Sequence, residues 1–219
     1  MRTIRTATFV SIDGVMQAPG GPEEDPSGGF RFGGWNFPWW DEPLEQLMGE
    51  AMAGPFDLLL GRRTWEIFAA HWPYQDDEIG RLFNAAAKYV AAGPDTALDW
   101  ANSHRLEGDV AEAVRALKAT DGPDLLIHGS SRLTQTLLAH DLIDQMTLLT
   151  FPVVLGRGKR LFDDGSAPHA WEVIRSGVSP KGVIVATYRR GGEVPTGSFA
   201  EPQPSQAELD RRRRWAADG

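Results

Sequence analysis

Asp124-Leu-Leu-Ile-His-Gly-Ser-Ser-Arg-Leu133, followed further on by Phe151-Pro-Val-Val-Leu-Gly-Arg-Gly-Lys-Arg-Leu-Phe162, carries the strongest structural signal in this chain. Asp124 to His128 is a short apolar run closed by Gly129, the form taken by a strand buried on both faces. Gly129-Ser130-Ser131 then leads into Leu133, Leu137 and Leu138 at helical spacing. A strand that ends in small residues and opens a helix directs free backbone N–H groups, and the positive end of a helix dipole, at one point in space. Such a turn suits the pyrophosphate of a dinucleotide. An ordinary strand–turn–helix with glycine where the turn needs it fits the same residues equally well.

Upstream, residues 3–12 are β-rich and end at Asp13-Gly14, a first strand. Met16 to Trp40 is a long loop rich in Gly, Pro and acidic residues that also holds Phe30, Phe32, Trp35, Phe37, Trp39 and Trp40. Loops of this length are usually functional or disordered, and so much aromatic area seeks a partner. The loop either folds over a small core of its own or walls a flat ligand, and the second is the expectation. Leu44, Leu47, Met48, Ala51 and Met52 mark a helix after Asp41, ended by Gly54-Pro55. Residues 57–60 are a second buried strand, closed by Gly61-Arg62-Arg63-Thr64, where Thr64 is expected to cap the next helix. Two arginines there form a phosphate site or, as an isolated pair commonly does, a solvated turn.

Residues 76–87 read as a helix, 88–92 as a third strand, 98–104 as holding a short edge strand, and Asp109 opens an amphipathic helix. Strand and helix thus alternate as in βαβ units. Ile143 to Val154 is a long strand, and residues 171–175 and 181–190 form a terminal antiparallel pair. The expected fold class is a three-layer α/β/α domain over residues 1–190, with a central, mostly parallel mixed sheet. Residues 191–219 are then a tail with a Ser205/Glu208 capping box ahead of Arg211–Arg214.

Composition limits the partners. A formal net charge of −8 argues against nucleic acid and against an anionic membrane surface. No apolar segment reaches spanning length, no signal peptide is evident, and cysteine is absent, so a cytoplasmic setting is expected. The five histidines show no i, i+4 pair and no carboxylate cluster at metal spacing, so no metal is expected. No Gly-x-Ser-x-Gly elbow occurs, and Gly156-Arg157-Gly158-Lys159 lacks what a complete nucleotide fingerprint requires. Small-residue turns, paired arginines and an aromatic loop suit a cofactor that brings its own chemistry.

Leu60-Gly61-Arg62-Arg63-Thr64-Trp65-Glu66 resembles the Met-Gly-Arg-x-Thr-Trp segment of dihydrofolate reductases. His128-Gly-Ser-Ser-Arg-Leu133, Leu142-Ile-Asp-Gln145 and residues 151–162 are similar to the C-terminal reductase domain of riboflavin-biosynthesis deaminase-reductases and to its stand-alone bacterial relatives. Ser11-Ile12-Asp13-Gly14 matches the first-strand motif of that superfamily. The resemblance implies a cytoplasmic, homodimeric reductase using NADPH as hydride donor, with NADH also open. By resemblance, Ser11, Asp13 and Met16 line the nicotinamide end. Gly61, Arg62, Arg63 and Thr64 hold the adenosine phosphates, and Gly129, Ser130, Ser131 and Leu133 the pyrophosphate. Two departures stand out: His128 replaces an acidic residue that reads the pyrimidine substrate, and Ala91-Ala92-Gly93 replaces a Ser/Thr-Arg that helps bind the 2′-phosphate.

The expected substrate is a small heterocycle of pteridine or aminopyrimidine type, in a pocket walled by Trp35, Trp39, Trp40, His128 and Phe151. Asp41 and Asp13 are the candidate catalytic carboxylates. Asp41 is either the proton source or a helix N-cap ahead of Pro43, and the roles are compatible. A non-catalytic ligand-binding module on the same fold is the alternative.

Overall fold

In the computed structural model, which describes residues 1–164, 166–199 and 203–218, eight strands and six α-helices follow one another, with short 3-10 turns between some of them. They are β1 (Ile4–Ser11), α1 (Glu42–Ala51), β2 (Phe56–Gly61), α2 (Arg62–His71), α3 (Glu78–Ala85), β3 (Lys88–Ala91), β4 (Ser103–Arg105), α4 (Val110–Lys118), β5 (Asp124–Ile127), α5 (Ser131–Ala139), β6 (Gln145–Phe151), β7 (Ala170–Val178), β8 (Ile184–Gly192) and α6 (Gln206–Asp218). The strands make one sheet in the order β4-β3-β2-β5-β1-β6-β8-β7. β1 to β6 run parallel, whereas β8 is antiparallel to both β6 and β7, as the terminal hairpin pattern predicts.

Alternation along the central strands sets the layers. Leu59, Leu125 and Ile127 face one side, where Ala111 and Val114 of α4 and Leu133 and Leu137 of α5 cover them. Leu58, Leu60 and Leu126 face the other, against Trp65 of α2 and Phe83 of α3. Further along that side, Leu44 of α1 meets Phe151, Trp35 and Phe30. Helices on both faces explain why these strands read as continuous apolar runs.

Asp41, Asp77 and Asp109 each cap a helix by accepting a backbone N–H. Thr64 departs from its expected capping role. α2 begins at Arg62 with Gly61 as N-cap, so Thr64 lies inside the first turn and its hydroxyl is free to bond elsewhere.

The two ends of the sheet are used differently. At the start of the parallel strands, the buried Arg2 guanidinium pairs with Asp57 and donates to the Pro123 carbonyl at 2.6 Å. Asp144 there accepts from the Ile4 N–H at 2.8 Å and from Lys118 Nζ at 2.6 Å. These bonds stitch β1, β2, β5 and α4 together and leave the opposite, carboxyl end of the sheet for a ligand. That is the end where open α/β sheets bind.

Candidate functional site

At the carboxyl ends of β2 and β5, two turns lie side by side. The β5–α5 turn is made by Gly129 at φ +95° and Ser130 at φ +64°. Left-handed backbone is uncommon for serine, and here one hydroxyl accounts for it. Ser130 Oγ accepts from the Gly61 N–H at 2.9 Å and donates to Thr64 Oγ1 at 2.8 Å, bolting this turn to the β2–α2 turn. The approach is close: a Cβ on Gly129 would come 3.4 Å from Thr64 Cγ2, and one on Gly61 would come 3.4 Å from Ser130. Two helix N-termini, α2 and α5, therefore open next to each other, with Arg62, Arg63 and Arg132 around them. Arg62 is paired with Glu66, and Arg63 donates to Ser27 Oγ at 3.1 Å. Among the described residues neither Arg63 nor Arg132 faces a carboxylate. Two cations without a carboxylate among the described residues thus stand beside two helix N-termini, an arrangement that favours an anion.

These turns form one wall of a cavity of about 850 Å³. Its roof comes from the long loop, through Met16 to Gly20, Glu24 and Asp25. Gln17 fastens that loop by donating to the carbonyls of Asp25 and Ser27, each at 2.9 Å, and accepting from the Lys159 N–H at 3.0 Å. Lys159 Nζ pairs with Asp25. Beyond the turns the walls become aromatic: Phe9 of β1, Trp40, Phe68 of α2, Trp72 just after it, and Phe83 of α3, with Met48 of α1 and Met52 at its end. His128 is set among them, 5.5 Å from Phe9 edge-on, 6.0 Å from Phe68 and 6.2 Å from Phe83 between ring centroids. Burial among these rings pulls its pKa down to about 4, against a small opposite pull from the Ala7 carbonyl, so the imidazole is neutral at pH 7. Its Nδ1 is buried and has no hydrogen-bond partner among the described residues.

Compared with known families, residues 2–185 match the model of the RibD C-terminal domain. The chain belongs to this family. Two similar relatives come from Bacillus subtilis strain 168. The uncharacterized protein YyaP is 26% identical over 140 residues, covering 62% of this chain and 74% of YyaP. The uncharacterized protein YwjB is 31% identical over 132 residues, covering 55% of this chain and 70% of YwjB. Among solved structures, a Shewanella sp. PV-4 protein assigned by its name to riboflavin biosynthesis superposes with TM-score 0.60 at 22% identity, over 87% of this chain and 99% of that one. Dihydrofolate reductase from Enterococcus faecalis, complexed with NADP(H) and RAB-propyl, gives 0.54 at 17% identity over 86% and 96%. A pyrimidine reductase-like protein from Corynebacterium diphtheriae gives 0.53 at 15% identity over 88% and 93%. The RibD C-terminal domain here thus has the dihydrofolate reductase-like α/β fold that its motifs resemble.

The structure gathers some of the sequence-derived site residues at the cavity and not others. Met16, Gly61, Arg62, Arg63, Thr64, Gly129, Ser130, Ser131, Leu133, Trp40 and His128 all line it. Ser11, Asp13, Trp35, Trp39, Asp41 and Phe151 are outside the lining. Trp35 and Phe151 pack edge-on at 5.4 Å inside the loop's own core, where Trp35 Nε1 donates to the Gln17 carbonyl at 2.8 Å. Trp39 is partly buried against the same cluster. Both readings of the aromatic loop therefore apply, to different residues: Trp35 belongs to a small core and Trp40 to the wall.

Asp13 ties the end of β1 to the loop after β6. It accepts from Ser11 Oγ at 2.7 Å and from the N–H groups of Leu155 and Gly156 at 3.0 and 2.9 Å, and Arg160 pairs with it. Burial alone would raise its pKa, but the Ser11 hydroxyl and the two amides outweigh this and hold it at about 2. Asp41 caps α1 through the Leu44 N–H at 2.9 Å and also accepts from the Lys181 N–H at 3.1 Å. Of the carboxyls bordering the cavity, Glu24 is part-buried, and this desolvation raises its pKa despite the Gly20 and Gly21 amides.

Residues that sequence reasoning missed include Phe9, Phe68 and Phe83, which come from three separate elements, and Arg132. Lys159 and Arg160 also line the cavity, although the Gly156-Arg157-Gly158-Lys159 segment fits no nucleotide motif. Among the described residues no helix is long and apolar enough to cross a membrane, and no group of three or more potential ligands could hold a metal ion.

Proposed function

We propose that this RibD C-terminal domain is an NADPH-dependent reductase acting on a small, flat heterocycle of pteridine or aminopyrimidine type. One observation carries the reading: the Ser130 hydroxyl locks two helix-opening turns together beside a cavity with unpaired arginines at one end and aromatic rings at the other. The fit to a dinucleotide rests on that cradle. Gly129 holds its amide at φ +95°, a backbone that side chains disfavour, and the cations Arg63 and Arg132 lack carboxylate partners among the described residues. When bound, NADPH supplies the hydride.

The chain's own residues bind and orient. Backbone N–H groups at Gly129 to Ser131, with Leu133 packed beneath them, receive the diphosphate. Arg62, Arg63 and Thr64, with Arg132, hold the adenosine end, and the arginines favour NADPH over NADH through charge. Met16 borders the nicotinamide end, while Ser11 and Asp13 act one step back by fixing the backbone that carries it. Trp40 and His128 face the substrate and keep water from the reacting faces. Trp39, Trp35 and Phe151 support that wall from behind. Orientation and exclusion of water supply the catalysis in place of a covalent nucleophile.

Two carboxyls compete for the accompanying proton. Asp41 is engaged by two backbone N–H groups outside the lining, a setting for a carboxylate in a capping role. Glu24 borders the cavity, and desolvation raises its pKa although the Gly20 and Gly21 amides oppose this, so it is the second candidate donor. The exposed apolar side chains of the terminal hairpin, Val173, Val178 and Ile184, support a homodimer. The test is a thermal shift with NADPH and with NADH. A hundredfold excess over Kd adds about 2.7 kcal/mol to stability, a rise of several degrees. No shift with either nucleotide at millimolar concentration refutes the reductase reading.

A further inference from the structure

The cavity does not end at its aromatic wall. A second one, of about 700 Å³, lies between residues 20–24 of the long loop and the end of α2, and the two share Gly20, Glu24, Phe68 and Trp72. Phe68 and Trp72, the shared apolar side chains, stand where one space passes into the other. Trp72 is held firmly there. Its carbonyl accepts from Asn84 Nδ2 at 2.8 Å, and Asn84 Oδ1 in turn accepts from Trp100 Nε1 at 2.8 Å. Its ring meets Phe83 at 4.9 Å and Phe68 at 6.0 Å, both edge-on. An aromatic side chain fixed in this way presents a flat apolar surface to whatever passes from one cavity to the other.

Charge is distributed unevenly along this route. The lysines and arginines that border the larger cavity belong to the openings of α2 and α5 and to the loop after β6, and none borders the smaller one. From Arg62 at the start of α2 to Trp72 the helix rises about 15 Å, too far for that cation to serve a group beside Trp72. At the smaller cavity the charged groups of the loop are acidic. Of the successive carboxylates Glu23, Glu24 and Asp25, only Asp25 has a cation partner among the described residues, in Lys159. A phosphate or carboxylate placed beside Trp72 would lose hydration, gain no countercharge and face the field of Glu23.

We infer that Trp72 is a specificity-determining residue of this site, and that the substrate carries an uncharged, apolar extension that leaves the larger cavity along the Phe68 and Trp72 rings and runs beneath residues 20–24. This inference rests on the reductase reading for the identity of the neighbouring dinucleotide, but not for the channel itself. Substrates with a phosphorylated or carboxylated arm in that direction are disfavoured by the repulsion described above.

The experiment is fluorescence titration of the full chain, at low ionic strength, with N-phenyl-1-naphthylamine and with 8-anilino-1-naphthalenesulfonate. The two probes share one ring framework and differ by a sulfonate. Each is titrated with and without saturating NADP⁺. The neutral probe is expected to bind at least tenfold more tightly than the sulfonate and to remain bound beside NADP⁺. Trp72→Ala is expected to weaken the neutral probe at least fivefold while changing NADP⁺ affinity by less than twofold. Because that variant could misfold, Glu23→Lys provides a second test, at an exposed side chain. It is expected to raise sulfonate affinity at least fivefold and to leave the neutral probe within twofold. The inference is overturned if the neutral probe does not bind, if the sulfonate binds wild type as tightly, or if NADP⁺ displaces the neutral probe. Unchanged neutral-probe affinity in folded Trp72→Ala, or unchanged sulfonate affinity in Glu23→Lys, overturns it as well. Absent NADP⁺ binding, with the charge preference and the Trp72 effect intact, overturns the reductase reading and leaves the channel standing.

Discussion

Replacing Ser130 tests the joint between the two turns. Ser130→Ala removes the bond from the Gly61 N–H at 2.9 Å and the bond to Thr64 Oγ1 at 2.8 Å. Two neutral hydrogen bonds contribute about 1–3 kcal/mol together, and because Gly61 is only half-buried, water can reach its freed N–H. A loss of about 1.5 kcal/mol is therefore expected. Alanine also keeps the strain of φ +64°, whereas glycine at the same position relieves roughly 1 kcal/mol of it. Ser130→Gly should thus lose the same bonds yet recover most of the stability, giving the order wild type, Ser130→Gly, Ser130→Ala. Equilibrium urea unfolding resolves these differences, and a parallel NADPH titration should show at least a tenfold weaker Kd for both variants, since the turns are no longer held together. If Ser130→Ala unfolds within about 0.3 kcal/mol of wild type and binds NADPH normally, the joint has no structural role. If Ser130→Gly is the less stable variant, the strain argument fails.

Replacing Arg62 and Arg63 together by alanine should weaken NADPH by about tenfold more than NADH, a difference of about 1.4 kcal/mol; equal losses, measured by fluorescence titration, would remove these arginines from the 2′-phosphate role. Arg63→Ala alone should account for most of the effect, because Arg62 is already paired with Glu66 at 2.6 Å. Burial lowers the His128 pKa from 6.5 to about 4, so the unfolded chain binds the extra proton between those values. The associated stability is complete above pH 6.5 and is lost as pH falls toward 4, by up to about 3 kcal/mol. The wild-type and His128→Phe unfolding curves should therefore converge or diverge by that amount across the window, and parallel curves would contradict the burial argument. Asp41→Asn should leave NADPH oxidation within about twofold while Glu24→Gln lowers it at least tenfold, about 1.4 kcal/mol of barrier; the reverse pattern in an absorbance assay would return the proton to Asp41.

Much of this architecture is legible in the sequence because its strands are buried on both sides. Leu58 to Leu60 and Leu125 to Ile127 face two helix layers, so they appear as plain apolar runs between turn residues. The caps at Asp41 and Asp109 are equally local, whereas the helix expected from residue 76 begins at Glu78, behind its cap Asp77. Thr64 shows where local reasoning stops. Its hydroxyl resembles a cap in sequence, but its partner is Ser130, 66 residues away, and no local rule foresees a bond between two turns. The aromatic end of the cavity was hidden for the same reason: Phe9, Phe68 and Phe83 converge only once β1, α2 and α3 are assembled around His128. The tryptophans of the long loop misdirect in the opposite sense. Their density marks a wall, yet Trp35 is spent on the loop's own core with Phe151, and Trp40 is left to face the cavity.

A dinucleotide held by the joined turns at the ends of β2 and β5 is the central claim. Backbone amide shifts recorded during an NADPH titration report on that place directly. The largest changes should fall at Gly61, Gly129, Ser130 and Ser131, with smaller ones at Met16 and none at the Arg2–Asp57 end of the sheet. A saturating titration that leaves those four amides unmoved, or moves residues elsewhere instead, contradicts it.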